Sequence, residues 1–146
     1  MHFEGNVPIK ADRQTVWAFV NDPARVGSCA PGIESVAVID DQHYKIVAKV
    51  GIGMIKATFA VDVTRGEQRA PEWSELTATG KAPGSAVDGS ARMDLSDGPD
   101  GETVMDWTAD VHIHGKLASV GARLIEGTSR KLIGQTFDCM RAKLEA

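Results

Sequence analysis

The sequence predicts an α+β domain: a seven-stranded antiparallel sheet wrapped around one long C-terminal helix, with two short helices after the first strand. Three observations carry this. From Ile33 to His114, six segments alternate apolar and polar residues with period two, separated by short turn-forming stretches. From Gly115 to Leu144 there is no proline, and Leu117, Val120, Leu124, Ile133, Phe137, Met140 and Leu144 recur mostly at steps of three or four, an apolar stripe on a helix. Ahead of both, Asp12 and the Asp22-Pro23 pair are helix-start signals behind a first strand.

In order, Phe3–Ile9 reads as the first strand, Arg13–Val20 as a short helix with Val16, Trp17 and Val20 on its apolar side, and Pro23–Val26 as a second. Gly27-Ser28-Cys29-Ala30-Pro31-Gly32 makes a tight connection. Strands follow at Ile33–Ile39, Tyr44–Val50, Met54–Thr64, Trp73–Ala82, Ala86–Ser96 and Glu102–His114; short loops between successive strands make an antiparallel meander. At 1.5 Å per residue the last helix would run roughly 40 Å and needs the sheet as its partner. Gly121, Gly127 and Gly134 fall inside it, each costing about 1 kcal/mol against Ala. They mark either close packing or a bend, or room left for a ligand between helix and sheet.

Period two assigns the faces. Lys45, Lys49, Lys56, Asp62, Thr77, Thr79, Lys81, Asp88, Arg92, Asp94, Asp106, Asp110 and His112 lie on a wet face. The covered face is rich in small residues, which means either very close approach of the helix or, as expected here, an apolar cavity nearly free of ionisable groups. Its expected lining is Tyr44, Ile46, Ala48, Ile55, Ala57, Phe59, Ala78, Ala91, Met93, Trp107, Ala109 and Val111 from the sheet, with Leu117, Val120, Gly121 and Leu124 from the start of the helix. Alternate turns of a meander share one end of the sheet, so Gly51–Gly53, Pro83–Ser85 and His114–Lys116 should surround the helix start. Ile52, Met54, Pro83 and Lys116 are the expected mouth, with Ile52 and Met54 exposed. Tyr44, Lys116 and Arg123 are candidates to orient a carbonyl or headgroup.

Composition bounds the function. The 146 residues, 42% apolar and 25% charged with net charge −4, make one domain with a real core and no run long enough to span a membrane. The acidic balance argues against nucleic acid. From Gly115 onward the local charge is +3 against −7 for the rest, a basic helix that could touch an anionic surface. Met1-His2-Phe3-Glu4-Gly5 shows no signal peptide, and Cys29 and Cys139 are expected as free thiols in a reducing, cytoplasmic setting, Cys29 as a buried structural one. No nucleophile elbow, phosphate loop or dinucleotide fingerprint is present. His112 and His114 share the wet face and read as an exposed pair rather than metal ligands. No catalytic residue, metal or cofactor is expected.

Phe3-x-Gly5, Val16-Trp17, Asp22-Pro23, Cys29-Ala30-Pro31-Gly32 and the run Gly115-Lys116-Leu117-Ala118-Ser119-Val120-Gly121-Ala122-Arg123 stand in this order along the chain. With the element order, they resemble the helix-grip fold of START-like (SRPBCC) proteins, and within it the carbon monoxide dehydrogenase G-subunit family. The resemblance implies a hydrophobic ligand cavity and a role beside a molybdenum hydroxylase, linking it to the membrane or the quinone pool. The expected function is therefore a non-catalytic binding protein for a quinone or lipid-like molecule. With the chain ending at Ala146, transient peripheral contact at the inner face of the membrane is the expectation. Two alternatives stay open: an adaptor or assembly factor without ligand, and a polyketide cyclase/dehydratase-like enzyme, which would need ionisable groups facing the cavity.

Overall fold

A computed structural model describes Met1–Ala146. β1 (His2–Ile9) leads through α1 (Arg13–Val20) and α2 (Pro23–Gly27) to β2 (Ile33–Val38), β3 (His43–Ile52), β4 (Ile55–Arg69), β5 (Trp73–Ala82), β6 (Ser85–Asp97) and β7 (Thr103–Gly115), and α3 (Ala122–Leu144) follows. The seven strands form one sheet in the order β1-β7-β6-β5-β4-β3-β2, antiparallel throughout. β1 lies against β7, from His2 opposite Asp110 to Ile9 opposite Thr103.

Local chemistry sets the element ends. Asp12 accepts a hydrogen bond from the Thr15 N–H at 3.3 Å, and Asp22 accepts from the N–H groups of Ala24 and Arg25, so each short helix has its first turn capped. On α1 the buried residues are Val16 and Phe19; Trp17 and Val20 are half-buried. β4 runs to Arg69 rather than stopping at Thr64, because a bulge between Arg65 and Gln68 bends the strand without ending its pairing with β5. β3 likewise runs on to Ile52, which pairs with Ile55 across a two-residue Gly53-Met54 turn.

The C-terminal helix begins later than its apolar spacing indicates. Lys116–Val120 is a 3₁₀ turn, and Gly121, at φ +99°, redirects the chain before α3 starts at Ala122. The turn is held to the sheet: the Leu117 N–H donates to Ser85 Oγ at 3.0 Å and the Lys116 N–H to the Gly84 carbonyl at 2.8 Å. Leu117 and Val120 fit a helical period because a 3₁₀ turn also repeats near three residues. Twenty-three residues still give α3 a length of about 35 Å.

The core is in two pieces. Ile9, Val16, Phe19, Cys29, Leu95, Met105, Met140 and Leu144 pack where α1, β1, β6 and β7 meet the end of α3. Ile52, Phe59, Leu117 and Ile125 pack at its start. Cys29 and Cys139, expected as free thiols, form a disulfide that ties the loop after α2 to α3, with Cα atoms 5.4 Å apart across 110 residues of sequence. The bond removes the thiol-based reason for a reducing compartment.

Candidate ligand site

The concave face of the sheet is built by strict alternation. Along β4, Ile55, Ala57, Phe59, Val61, Val63 and Arg65 are each more buried than both neighbours, so all six face α3. Between the two core clusters this face is incompletely covered. Tyr44, Ile46, Ala48, Ala78, Ala91, Trp107, Ala109 and Val111 are half-buried and belong to neither cluster. On the facing helix, Leu132 and Ile133 are also half-buried.

Part of this space is a cavity of about 300 Å³ under the C-terminal half of α3. Val20 and Val26 from α1 and α2, Ser74 and Leu76 from β5, Ala91, Arg92 and Met93 from β6, Met105, Trp107 and Thr108 from β7, and Thr136, Phe137 and Met140 from α3 line it, Arg92 being paired with Glu75 and Asp94. Of the expected lining residues, Ala91, Met93 and Trp107 stand here. The contributions of Val20, Leu76, Met105, Phe137 and Met140 have a signal in the sequence, since all lie on apolar stripes; those of Val26 and Thr136 do not. Trp107 forms one wall because Gly5 lets it: a Cβ at Gly5 would sit 2.8 Å from the indole Nε1. The indole then meets Phe137 at 5.3 Å between ring centroids, tilted by 42°.

The other end of the sheet holds corrections. The turns at Gly53-Met54 and Pro83-Gly84 and the β7–α3 junction do cluster at the start of the helix. Ile52, however, is 4% exposed and packs with Phe59, Leu117 and Ile125 into a plug. It is inside because the β3 ladder continues through it with the same parity as Tyr44, Ile46, Ala48 and Val50. Phe59 and Leu117 therefore fill space rather than line it, and Ile55 and Ala57 pack against the plug. Leu124 is 43% exposed: with α3 starting at Ala122, it lies against the Gly53 turn at the rim rather than under the helix. With Val120, Gly121, Arg123, Gly127, Thr128 and Lys131 it lines a groove of about 550 Å³ beside the helix start. Met54 is fully exposed, and Pro83 and Lys116 are exposed beside it.

Gly127 and Gly134 mark neither close packing nor room between helix and sheet. Both are exposed, a Cβ on either meets nothing within 4 Å, and nine residues beyond Ile125 places Gly134 about half a turn away from the sheet.

The concave face also carries a cation that a strand ending at Thr64 conceals. Arg65 is half-buried, and its Nη2 donates to the Asn21 carbonyl at 2.7 Å. Tyr44 lies near it. Burial holds the Tyr44 hydroxyl above the ordinary phenol range, against an opposing pull from the Arg65 charge, so the hydroxyl is a neutral donor at physiological pH. On the convex face His114 pairs with Asp88 at 3.1 Å and His2 with Asp110 at 2.8 Å, both exposed. No group of three His, Cys, Asp or Glu side chains is placed to hold a metal ion. No helix is long and apolar enough to cross a membrane.

A curved antiparallel sheet gripping a long C-terminal helix over an apolar space is the START-like, or helix-grip, class of fold. A START superfamily protein from Mycobacterium smegmatis superposes with a TM-score of 0.76 at 9% identity, over 99% of this chain and 97% of that one. A conserved protein from Geobacillus kaustophilus superposes with a TM-score of 0.91 at 23% identity, over 99% of this chain and 95% of that one. At these identities the likeness is one of fold. The profile of the carbon monoxide dehydrogenase G-subunit (CoxG) family matches residues 5–145, and the chain belongs to that family. Among curated proteins none matches the sequence. Family and fold together are those of ligand-binding accessory proteins, generally without catalysis of their own.

Proposed function

We propose that the protein is a non-catalytic carrier of a hydrophobic small molecule, a quinone or a lipid, held between sheet and helix. In this reading it serves a molybdenum hydroxylase of the carbon monoxide dehydrogenase type, linking it to the membrane or the quinone pool. The observation that carries the reading is the divided core: two packed clusters with a small-residue, half-buried apolar face between them, and a cavity of about 300 Å³ where that face meets the larger cluster. Interiors normally close-pack, and an apolar space not filled by the protein's own side chains is one a lipophile fills. Burial there drives binding at about 25 cal/mol per Å² of apolar area, less the costs of association. Met54 and Leu124, exposed beside Lys116, Arg123 and Lys131, make a small apolar and basic rim suited to transient contact with an anionic bilayer.

The test is purification without detergent, extraction with organic solvent and mass spectrometry of the extract. A stoichiometric quinone or lipid is the expected result. A clean protein that also fails to take up added quinone or lipid would sink the carrier reading and favour an adaptor that docks by its surface. Ala109 faces the interior opposite Ala91 and Phe3. Ala109→Trp should abolish uptake in a protein that still folds by circular dichroism, and unchanged uptake would show that the ligand sits elsewhere.

A further inference from the structure

Arg65 stands apart from most of the chain's other arginines. Arg13, Arg69, Arg92, Arg130 and Arg141 each have a carboxylate within 4.0 Å. Arg25 stacks on Phe19. Arg123 is exposed. Arg65 is half-buried on the concave face, pairs with no carboxylate, and makes one hydrogen bond, to the Asn21 carbonyl. That carbonyl belongs to the C-cap of α1 and offers only the partial negative charge of a helix end. That bond engages one of the five N–H donors of the guanidinium.

Its position matters as much as its charge. Arg65 lies directly opposite Leu76 across the β4–β5 ladder, and Leu76 lines the apolar cavity. Val20 and Val26, which flank the Asn21 corner in sequence, line it too. Arg65 is not itself part of the cavity wall but adjoins it through Leu76, with its guanidinium held at the α1–α2 corner by Asn21 and the Tyr44 hydroxyl nearby.

We propose that Arg65, assisted by Tyr44, is the headgroup site of the interior, and that it takes the carboxylate of a long-chain carboxylic acid whose tail lies along the apolar concave face. The proposal rests on the carrier reading and selects the lipid from its two ligand classes. A carboxylate matches a guanidinium with two parallel N–H···O bonds and neutralises its single charge. A dianionic phosphate would bring a second charge into apolar surroundings with nothing to meet it. A quinone carbonyl offers one neutral acceptor and leaves the cation uncompensated.

The experiment uses delipidated protein loaded with the neutral fluorescent probe N-phenyl-1-naphthylamine, displaced in turn by dodecanoate, 1-dodecanol and a decyl-substituted benzoquinone. Wild type should bind dodecanoate more tightly than either neutral ligand. Arg65→Met should weaken dodecanoate by about ten- to hundredfold and leave the probe and dodecanol nearly unchanged. Arg65→Lys should recover part of the loss, and Tyr44→Phe should give a smaller one. Equal affinity of wild type for dodecanoate and dodecanol overturns the proposal even if no variant folds. So does an Arg65→Met protein that loses stability while treating acid and alcohol as wild type does, since Arg65 would then only fasten α1. Wild type that takes up neither the probe nor any of the three ligands overturns the carrier reading and this proposal with it; neutral ligands bound without preference for the acid overturn this proposal alone.

Discussion

At the scale of single residues, the sharpest constraints come from close approach. Gly5 is half-buried in β1, and a side chain there would meet the Trp107 ring at 2.8–3.0 Å. Gly5→Ala should therefore displace the indole from Phe137, cost about 1–3 kcal/mol, and change the near-ultraviolet circular dichroism before the far-ultraviolet signal. Denaturant titration and the two spectra check it. Residues whose work is local are readable without coordinates: Asp12 and Asp22 cap because their side chains reach backbone two or three residues on. Arg65 is not readable in this way. Its partner Asn21 is 44 residues distant, and the bulge that keeps it on the inner face is set by pairing with β5.

At the scale of elements, the strands are legible because period-two alternation is dictated by a sheet with one covered face, which is what forms. The start of α3 is not, since Leu117 and Val120 keep helical spacing through a 3₁₀ turn fastened to Ser85. The same correction makes a stability prediction. With Gly127 and Gly134 exposed, interior to α3 and free of neighbours, Gly127→Ala and Gly134→Ala should each raise stability by about 1 kcal/mol and together raise Tm by several degrees. If either glycine were needed for a bend or a ligand, its alanine variant would instead lower Tm or uptake. Which end of the sheet stays open under the helix is hidden from the sequence, because the plug of Ile52, Phe59, Leu117 and Ile125 depends on which turn residues the β3–β4 hairpin excludes.

At the scale of the whole molecule, the larger core cluster is fastened covalently and the smaller one is not. The Cys29–Cys139 bond closes a loop of 110 residues and sits within the eight-residue cluster at the end of α3. Replacing both cysteines by serine, or adding reductant, should lower the unfolding free energy by about 2–5 kcal/mol, read from denaturant midpoints with and without reductant. An unchanged midpoint would mean that the tie does not constrain the unfolded chain. Nothing in the spacing of two cysteines so far apart announces their pairing; only the path of α3 over the end of α2 brings them together.

The position of β1 has a consequence in time as well as in space. It is the first strand of the chain, yet its one neighbour in the sheet is β7, about a hundred residues later. At 5–20 residues per second, a ribosome leaves β1 unpaired for roughly 5–20 s, while β2 to β6 can zip together in order behind it. The sheet grows from its far side, and the first strand made is the last to be seated. Fast folding of the meander therefore cannot by itself complete the grip on the helix. Nascent chains stalled before β7 emerges should expose Phe3 and Ile9, an apolar strand that a chaperone or a neighbouring chain can reach until its partner arrives.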